Sequence, residues 1–148
     1  MSAKPRPFRL LAPVVAEDAL HATVAAALRV LVQLPACWTT FPAGSVPLPP
    51  QFAAKLARLG LQRGWPDVLV AHAGRIYGLE LKRVGGKLSK TRTVRTRSGA
   101  PRVLEGQEDV FPRLRTAGME IAVCTSLDDV LAALRGWGVP MVRSRVAA

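Results

Sequence analysis

Three ionisable residues lie inside two apolar runs between Gly64 and Lys82, at positions where solubility does not require them. Asp67 lies near the start of the first run, and Glu80 and Lys82 lie at the end of the second. Such side chains are poor strand formers, and a buried charge is costly unless it is paired or bound to a metal. Two carboxylates and an ammonium in these positions therefore indicate a site for chemistry.

A hairpin with Ala73-Gly74 as its loop would bring the three residues together. Its register sets Asp67 opposite Glu80 on one face, with Cβ atoms roughly 5 Å apart, and Lys82 shares that face. Two carboxylates this close repel each other unless a cation lies between them, and a hard divalent cation such as Mg²⁺ is the usual one. A three-residue loop would shift the register by one, and Ala73 is not a favoured residue of a primed turn.

Length and charge narrow the class of protein. The 148 residues are 49% hydrophobic, which is typical of one domain with a real core. The net charge of +11, from 21 basic and 10 acidic residues, favours nucleic acid as the partner over a protein that is basic by chance. No apolar run is long enough for a membrane span, and prolines break the apolar N-terminus, so neither a membrane partner nor a signal peptide is expected. Cys37 and Cys124 are isolated, and we interpret them as reduced core residues of a cytoplasmic protein in a bacterial or phage-infected cell.

The remaining segments predict an α/β domain around the hairpin. Helices are expected at about residues 16–33, 52–61, 107–117 and 126–137, and strands at 37–41 and 119–125, the second of them buried. Residues 1–15 form a basic, Pro-rich N-terminal arm, residues 16–140 the domain, and residues 141–148 a tail, with an edge strand as the alternative near 140–145. Asp128 and Asp129 fill the first turn of a helix capped by Ser126, which excludes them from the site.

Two polar residues lie on the inward stripes of the helices that bracket the hairpin. Glu17 has two equally weighted interpretations, a first-turn acid that complements the helix dipole and a contributor to the site. Gln107 begins the third helix, which Pro112 is expected to bend or delay. His72 flanks the turn and is predicted to be an exposed loop residue, while His21 could approach DNA or the edge of the site.

A long basic loop, at about residues 84–106, separates the hairpin from the third helix. Its basic residues are Lys87, Lys90, Arg92, Arg95, Arg97 and Arg102. Beside a carboxylate cluster, such a loop is suited to holding a phosphate backbone. It is compatible with a small β arm that turns at Ser98-Gly99, or with a solvated flexible loop.

The chain resembles the PD-(D/E)XK nuclease superfamily in three features that follow one another in the sequence: Pro66-Asp67, Glu80-x-Lys82 and Gln107. The runs KLARLGLQRGWPD and GLELKRVGGKLS, with a first helix that begins at Glu17, resemble its VRR-NUC branch. The resemblance covers about residues 16–140. It implies a restriction-endonuclease-like α/β fold, in which helices flank a central mixed sheet in a single domain.

The resemblance also implies an activity, a metal-dependent hydrolysis of DNA phosphodiester bonds, with branched or four-way junction DNA among the expected substrates. Asp67, Glu80 and the Leu81 backbone carbonyl would hold Mg²⁺ or Mn²⁺, and Glu17 would contribute directly or through water.

Lys82 would orient or deprotonate the attacking water, and Gln107 would support Lys82 or a phosphate. Compact relatives lack the basic insertion that precedes Gln107 in this chain. Glu108 is therefore a competing candidate for the role assigned to Gln107. A nuclease that cuts both strands of a junction is expected to be a homodimer, with DNA as its partner and no small-molecule cofactor. The alternative is a non-catalytic nucleic-acid-binding protein on a nuclease scaffold.

Overall fold

The structure, a computed structural model, describes residues 17–41 and 48–143. These residues form a single small α/β domain with a mixed four-stranded sheet, a separate two-stranded sheet and four helices, which confirms the predicted fold class. The predicted N-terminal arm, part of the loop before the second helix and the end of the C-terminal tail lie outside the described residues.

The elements lie close to their predicted positions. In chain order they are α1 (Glu17–Leu31), β1 (Cys37–Thr40), α2 (Pro50–Arg58), β2 (Val68–His72), β3 (Arg75–Leu81), β4 (Arg92–Arg95), β5 (Pro101–Leu104), α3 (Gln107–Thr116), β6 (Glu120–Cys124) and α4 (Leu127–Gly136). The main sheet has the order β1-β2-β3-β6, in which β6 runs parallel to β3 and the other neighbours are antiparallel. Strands β4 and β5 pair with each other and form the β arm, residues 92–104. An isolated bridge joins Val32 to Met141, in the segment predicted as an edge strand or tail.

The β2–β3 hairpin has the predicted register. His72 pairs with Arg75 beside the loop, and Val68 pairs with Leu79 at the open end. Both loop residues have positive φ, as a type I′ turn requires, so the register is fixed by a two-residue loop.

The loop residue Ala73 has a φ of 49°, in the left-handed region that costs most L-residues energy and that Asn tolerates. We therefore expect Ala73→Asn to raise the free energy of unfolding by about 1 kcal/mol, because it supplies the favoured Asn-Gly pair of a type I′ turn. Urea denaturation measures this directly. Ala100→Asn, an exposed change at the end of the β arm, is the control and should give no such gain. A stability of Ala73→Asn equal to or below that of the wild type would refute the prediction.

The hydrophobic core lies on one face of the main sheet. Val24 of α1 and Val130 of α4 are fully buried there in one cluster with Leu79 and Leu81 of β3. Because side chains alternate along a strand, Glu80 points to the opposite face, where α3 lies. Helix α3 continues through Pro112, so the proline does not delay or end it. No helix within residues 17–41 and 48–143 has the length and apolar character needed to cross a bilayer.

Three burial predictions were wrong. Strand β6 is an edge strand rather than a buried one, and Val123 is 44% exposed. Cys37 is exposed because β1 forms the other edge of the sheet, whereas Cys124 is buried as predicted and both thiols are free. His72 is the last residue of β2 and is half-buried rather than exposed in the loop.

Candidate active site

Glu80 is the centre of a cluster at the open end of the hairpin. Its side chain is 1% exposed, and its Oε1 lies 2.8 Å from Nζ of Lys82. Asp67 lies one residue before β2, where the ladder continued by one pair would set it opposite Glu80. Its Oδ2 accepts a hydrogen bond from the backbone N–H of Leu81 at 2.8 Å. The structure therefore brings together the three residues that the sequence pattern indicated.

Gln107 contacts Glu80, rather than Lys82 or a position open to a phosphate. Its Nε2 donates to Oε1 of Glu80 at 2.6 Å, and its Oε1 accepts the N–H of Ser89 at 3.1 Å. Gln107 is buried at the start of α3, while Glu108 is exposed. Of the two competing residues, Gln107 is thus the one at the cluster.

The second carboxylate oxygen of Glu80, Oε2, is buried and has no hydrogen-bond partner within the described part of the chain. Leaving a buried polar atom unpaired is costly, and for an ionised oxygen the cost is larger. A bound cation would remove this cost. Asp67 also supplies oxygen to the same end of the hairpin, and oxygen ligands are those that Mg²⁺ and Mn²⁺ prefer.

The backbone of Leu81 adds a third oxygen to the candidate ligand set. In an antiparallel ladder the N–H and C=O of one residue point to the same edge, so its carbonyl is directed to the edge where Asp67 accepts its N–H. Among the described side chains, no group of three His, Cys, Asp or Glu could hold a metal ion. Two carboxylates and one carbonyl still fit Mg²⁺, because this ion commonly binds one or two carboxylates and takes its other ligands from water and substrate phosphates.

The predicted contribution of Glu17 stays a prediction. Helix α1 begins at Glu17, and the helix packs on the face of Leu79 and Leu81, opposite to that of Glu80. The Glu17 side chain itself lies outside the described part of the chain. In the same helix, Nε2 of His21 lies 3.2 Å from Oγ1 of Thr40, at the end of β1.

Burial raises the pKa of Glu80, and the neighbouring charge of Asp67 raises it further, although Lys82 and Gln107 oppose the shift. A raised carboxyl pKa stabilises the fold below the unfolded value of about 4.5, and this stability is lost as the pH rises through the folded value. Without a metal ion, Glu80→Gln should therefore gain stability relative to the wild type as the pH rises from about 5 to about 8.

Denaturation in EDTA at the two pH values measures this difference. Glu108→Gln is the matched control, since it makes the same chemical change on an exposed residue of α3. If the stability of Glu80→Gln follows that of the wild type at both pH values, Glu80 does not carry the raised pKa.

The chain that enters the β arm crosses the N-terminus of α3. Ser89 Oγ accepts the N–H of Gln107 at 3.0 Å, and Thr91 Oγ1 accepts the N–H of Gly106 at 3.0 Å and donates to the Asp109 carboxylate. These hydroxyls cap a helix whose own N-cap, a glycine, has no side chain. No sequence signal indicates this role, because the capping residues come from a distant part of the chain.

All six basic residues predicted to bind nucleic acid are exposed, on the β arm or on the segment that leads into it. The arm turns at the predicted position, where the N–H of Gly99 donates to the carbonyl of Thr96 at 2.8 Å. Of the two alternatives for the basic loop, the structure shows the β arm. Ser89, in the segment that leads into the arm, contacts Gln107, so this segment connects the arm to the carboxylate cluster.

No protein-family model, curated protein or solved structure matches the chain. Its function is therefore inferred from the geometry of the cluster, in which one residue of α3 and three residues of the hairpin meet. These residues are Asp67, Glu80, Lys82 and Gln107.

Proposed function

We propose that this chain is a metal-dependent DNA endonuclease that hydrolyses phosphodiester bonds with Mg²⁺ or Mn²⁺. The observation that carries the proposal is the buried Glu80 carboxylate. One of its oxygens is held by Lys82 and Gln107, and the other has no partner within residues 17–41 and 48–143. A carboxylate fixed in this way, with a second carboxylate beside it, is typical of a ligand prepared for a cation.

A divalent ion bound by Asp67, Glu80 and the Leu81 carbonyl would supply Lewis acidity and lower the pKa of bound water. Lys82 lies beside carboxylates, which favour its charged form. From there it can donate a hydrogen bond to the attacking water or stabilise the negative charge that develops on the phosphate. Gln107 acts as a positioning residue, because its hydrogen bond fixes the Glu80 carboxylate while its own amide oxygen accepts the N–H of Ser89, in the segment that leads into the β arm.

The partner proposed for this site is DNA. The net charge of +11 and the exposed basic residues of the arm favour a polyanion that can be bound through its phosphates. Preference for branched or junction DNA is a proposal that the family resemblance supports. A homodimer is proposed because such an enzyme cuts two strands, and a cytoplasmic location is proposed from the two isolated cysteines. The alternative, a non-catalytic nucleic-acid-binding protein, does not explain why the Glu80 carboxylate is buried.

A cleavage panel tests the proposal. Labelled single-stranded, duplex, flap, splayed and four-way DNA are incubated with Mg²⁺, with Mn²⁺ and with EDTA. We expect cleavage of at least one DNA structure with metal and none with EDTA. Salt-dependent binding of DNA with no cleavage of any substrate in either metal would support the non-catalytic alternative instead.

A further inference from the structure

A cleft lies between α2 and the β arm, apart from the carboxylate cluster. One wall consists of α2 and the residues that follow it, and the other consists of β4, β5 and their turn. The cleft has a volume of about 660 Å³. The segment that leads into this arm contacts Gln107 through Ser89, so one continuous stretch of chain connects the cleft to the carboxylate cluster.

Both walls are strongly basic. Residues 48–63 carry three, and residues 92–104 carry four, of the 21 Lys and Arg residues, and neither segment contains Asp or Glu. Arg63 lines the cleft from the α2 side, and Arg97 and Arg102 line it from the arm. Two facing segments without a single acidic residue produce a positive potential that favours a polyanion between them.

Apolar side chains line both sides of the cleft, and we call them its apolar floor. Ala53, Ala57 and Leu61 line it on one side, and Val94 and Leu104 line it on the other. Helix α2 has no buried residue, so its apolar side is only partly covered by the rest of the domain. A duplex presents phosphates on its outside and would leave this floor uncovered, whereas a single strand offers the flat faces of its bases as well as its phosphates.

We propose that this cleft between α2 and the β arm binds a single-stranded DNA segment. Arg63, Arg97 and Arg102 pair with its phosphates, and its bases lie on the apolar floor or stack on the guanidinium planes. The role of this segment as part of the substrate rests on the proposed nuclease function. The binding itself does not, because none of the cleft residues belongs to the carboxylate cluster.

Binding without metal tests the inference. The fluorescence anisotropy of a labelled oligothymidylate and of a duplex of equal length is measured in EDTA over a range of salt concentrations. The variants are Arg63→Ala from one wall and the double variant Arg97→Ala/Arg102→Ala from the other. Arg135→Ala removes a charge from α4, outside the cleft, and is the matched control. Circular dichroism confirms that each variant is folded.

We expect the wild type to bind the single strand more tightly than the duplex. The double variant should weaken single-strand binding about tenfold and reduce the salt slope of log K by about 1.4, or about 0.7 for each phosphate that is no longer neutralised. Arg63→Ala should reduce the slope by about 0.7, and Arg135→Ala should change nothing. Unchanged single-strand binding in the cleft variants, or a preference for duplex, would overturn the inference.

The outcome for the cleft can be separated from that for the nuclease. Metal-dependent cleavage together with unaltered single-strand binding in the cleft variants would refute the cleft alone. Loss of single-strand binding in those variants, together with no cleavage by the wild type in any metal, would refute the nuclease alone.

Discussion

Asp67→Asn and Lys82→Ala are each expected to lower the rate of metal-dependent DNA cleavage about a hundredfold to a thousandfold. Asp67→Asn keeps an oxygen that can accept the N–H of Leu81 but removes the charge that a cation needs. Lys82→Ala removes the ammonium that lies 2.8 Å from Glu80 and that would stabilise charge on the phosphate, and losses of this size follow when such a preorganised group is removed. Cleavage rates at saturating DNA measure both effects.

Two further measurements show whether the loss is chemical. DNA affinity in EDTA should change little in either variant, because the basic residues that bind the backbone are intact. Asp128→Ala is the control for the loss of an acidic residue, since Asp128 is exposed in the first turn of α4 and has no role in the cluster. Cleavage retained by both site variants would show that the cluster is not the active site.

Gly106→Ala is expected to lower both stability and cleavage. A Cβ atom at this position would lie 2.3 Å from the backbone carbon of Lys90 and 2.4 Å from the carbonyl oxygen of Ser89. Because both neighbours are backbone atoms, the segment that crosses the N-terminus of α3 would have to move away. Overpacking of this kind costs about 1–3 kcal/mol, and a displacement of about 1 Å at Gln107 would lower the cleavage rate about a hundredfold.

Gly136→Ala is the matched control for this change. No heavy atom lies within 4 Å of a Cβ built at Gly136, which ends α4, so alanine there should raise the stability by about 0.5–1 kcal/mol and leave cleavage unaltered. Thermal unfolding and cleavage rates are measured for both variants. Wild-type stability in Gly106→Ala would show that the crossing segment adapts to the side chain and does not hold Gln107 in place.

The hairpin was predictable because local rules decide it. A two-residue loop and the alternation of apolar residues fix the register, and the register places the carboxylates. Ala73 was the one residue that did not support this prediction, since it is not a favoured turn residue. In the structure it nevertheless occupies the turn, with a positive φ. The type of each long element was predictable for the same reason, because hydrophobic periodicity and Ser126 as an N-cap are local features.

Sheet order was not predictable, and the errors follow from it. The apolar sequence of β6 indicates a buried strand, but β6 pairs with β3 and leaves its other edge open, so Val123 is exposed. Cys37 is exposed because β1 forms the opposite edge. A short apolar run does not show whether one strand or two will pair with it, since that depends on the rest of the fold.

The connection between the β arm and Glu80 could be predicted only in part: the residue could be identified, but its contacts could not. Gln107 was identified from its place on the inward stripe of a helix and from the family resemblance, but its contact with Glu80 rather than Lys82 depends on how α3 packs on the sheet. Ser89 and Thr91 cap α3 from a separate segment, and no spacing rule connects a helix to a cap that is not its neighbour in sequence.

The most direct test of the central claim is the nicking of supercoiled plasmid by the wild type and by Glu80→Gln, purified in the same way and measured side by side. Each is incubated with Mg²⁺, with Mn²⁺ and with EDTA. We predict that the wild type nicks the plasmid in at least one metal and not in EDTA, and that Glu80→Gln nicks it in none. Nicking by the wild type in EDTA, or equal nicking by Glu80→Gln with metal, would contradict a metal-dependent site built on this carboxylate.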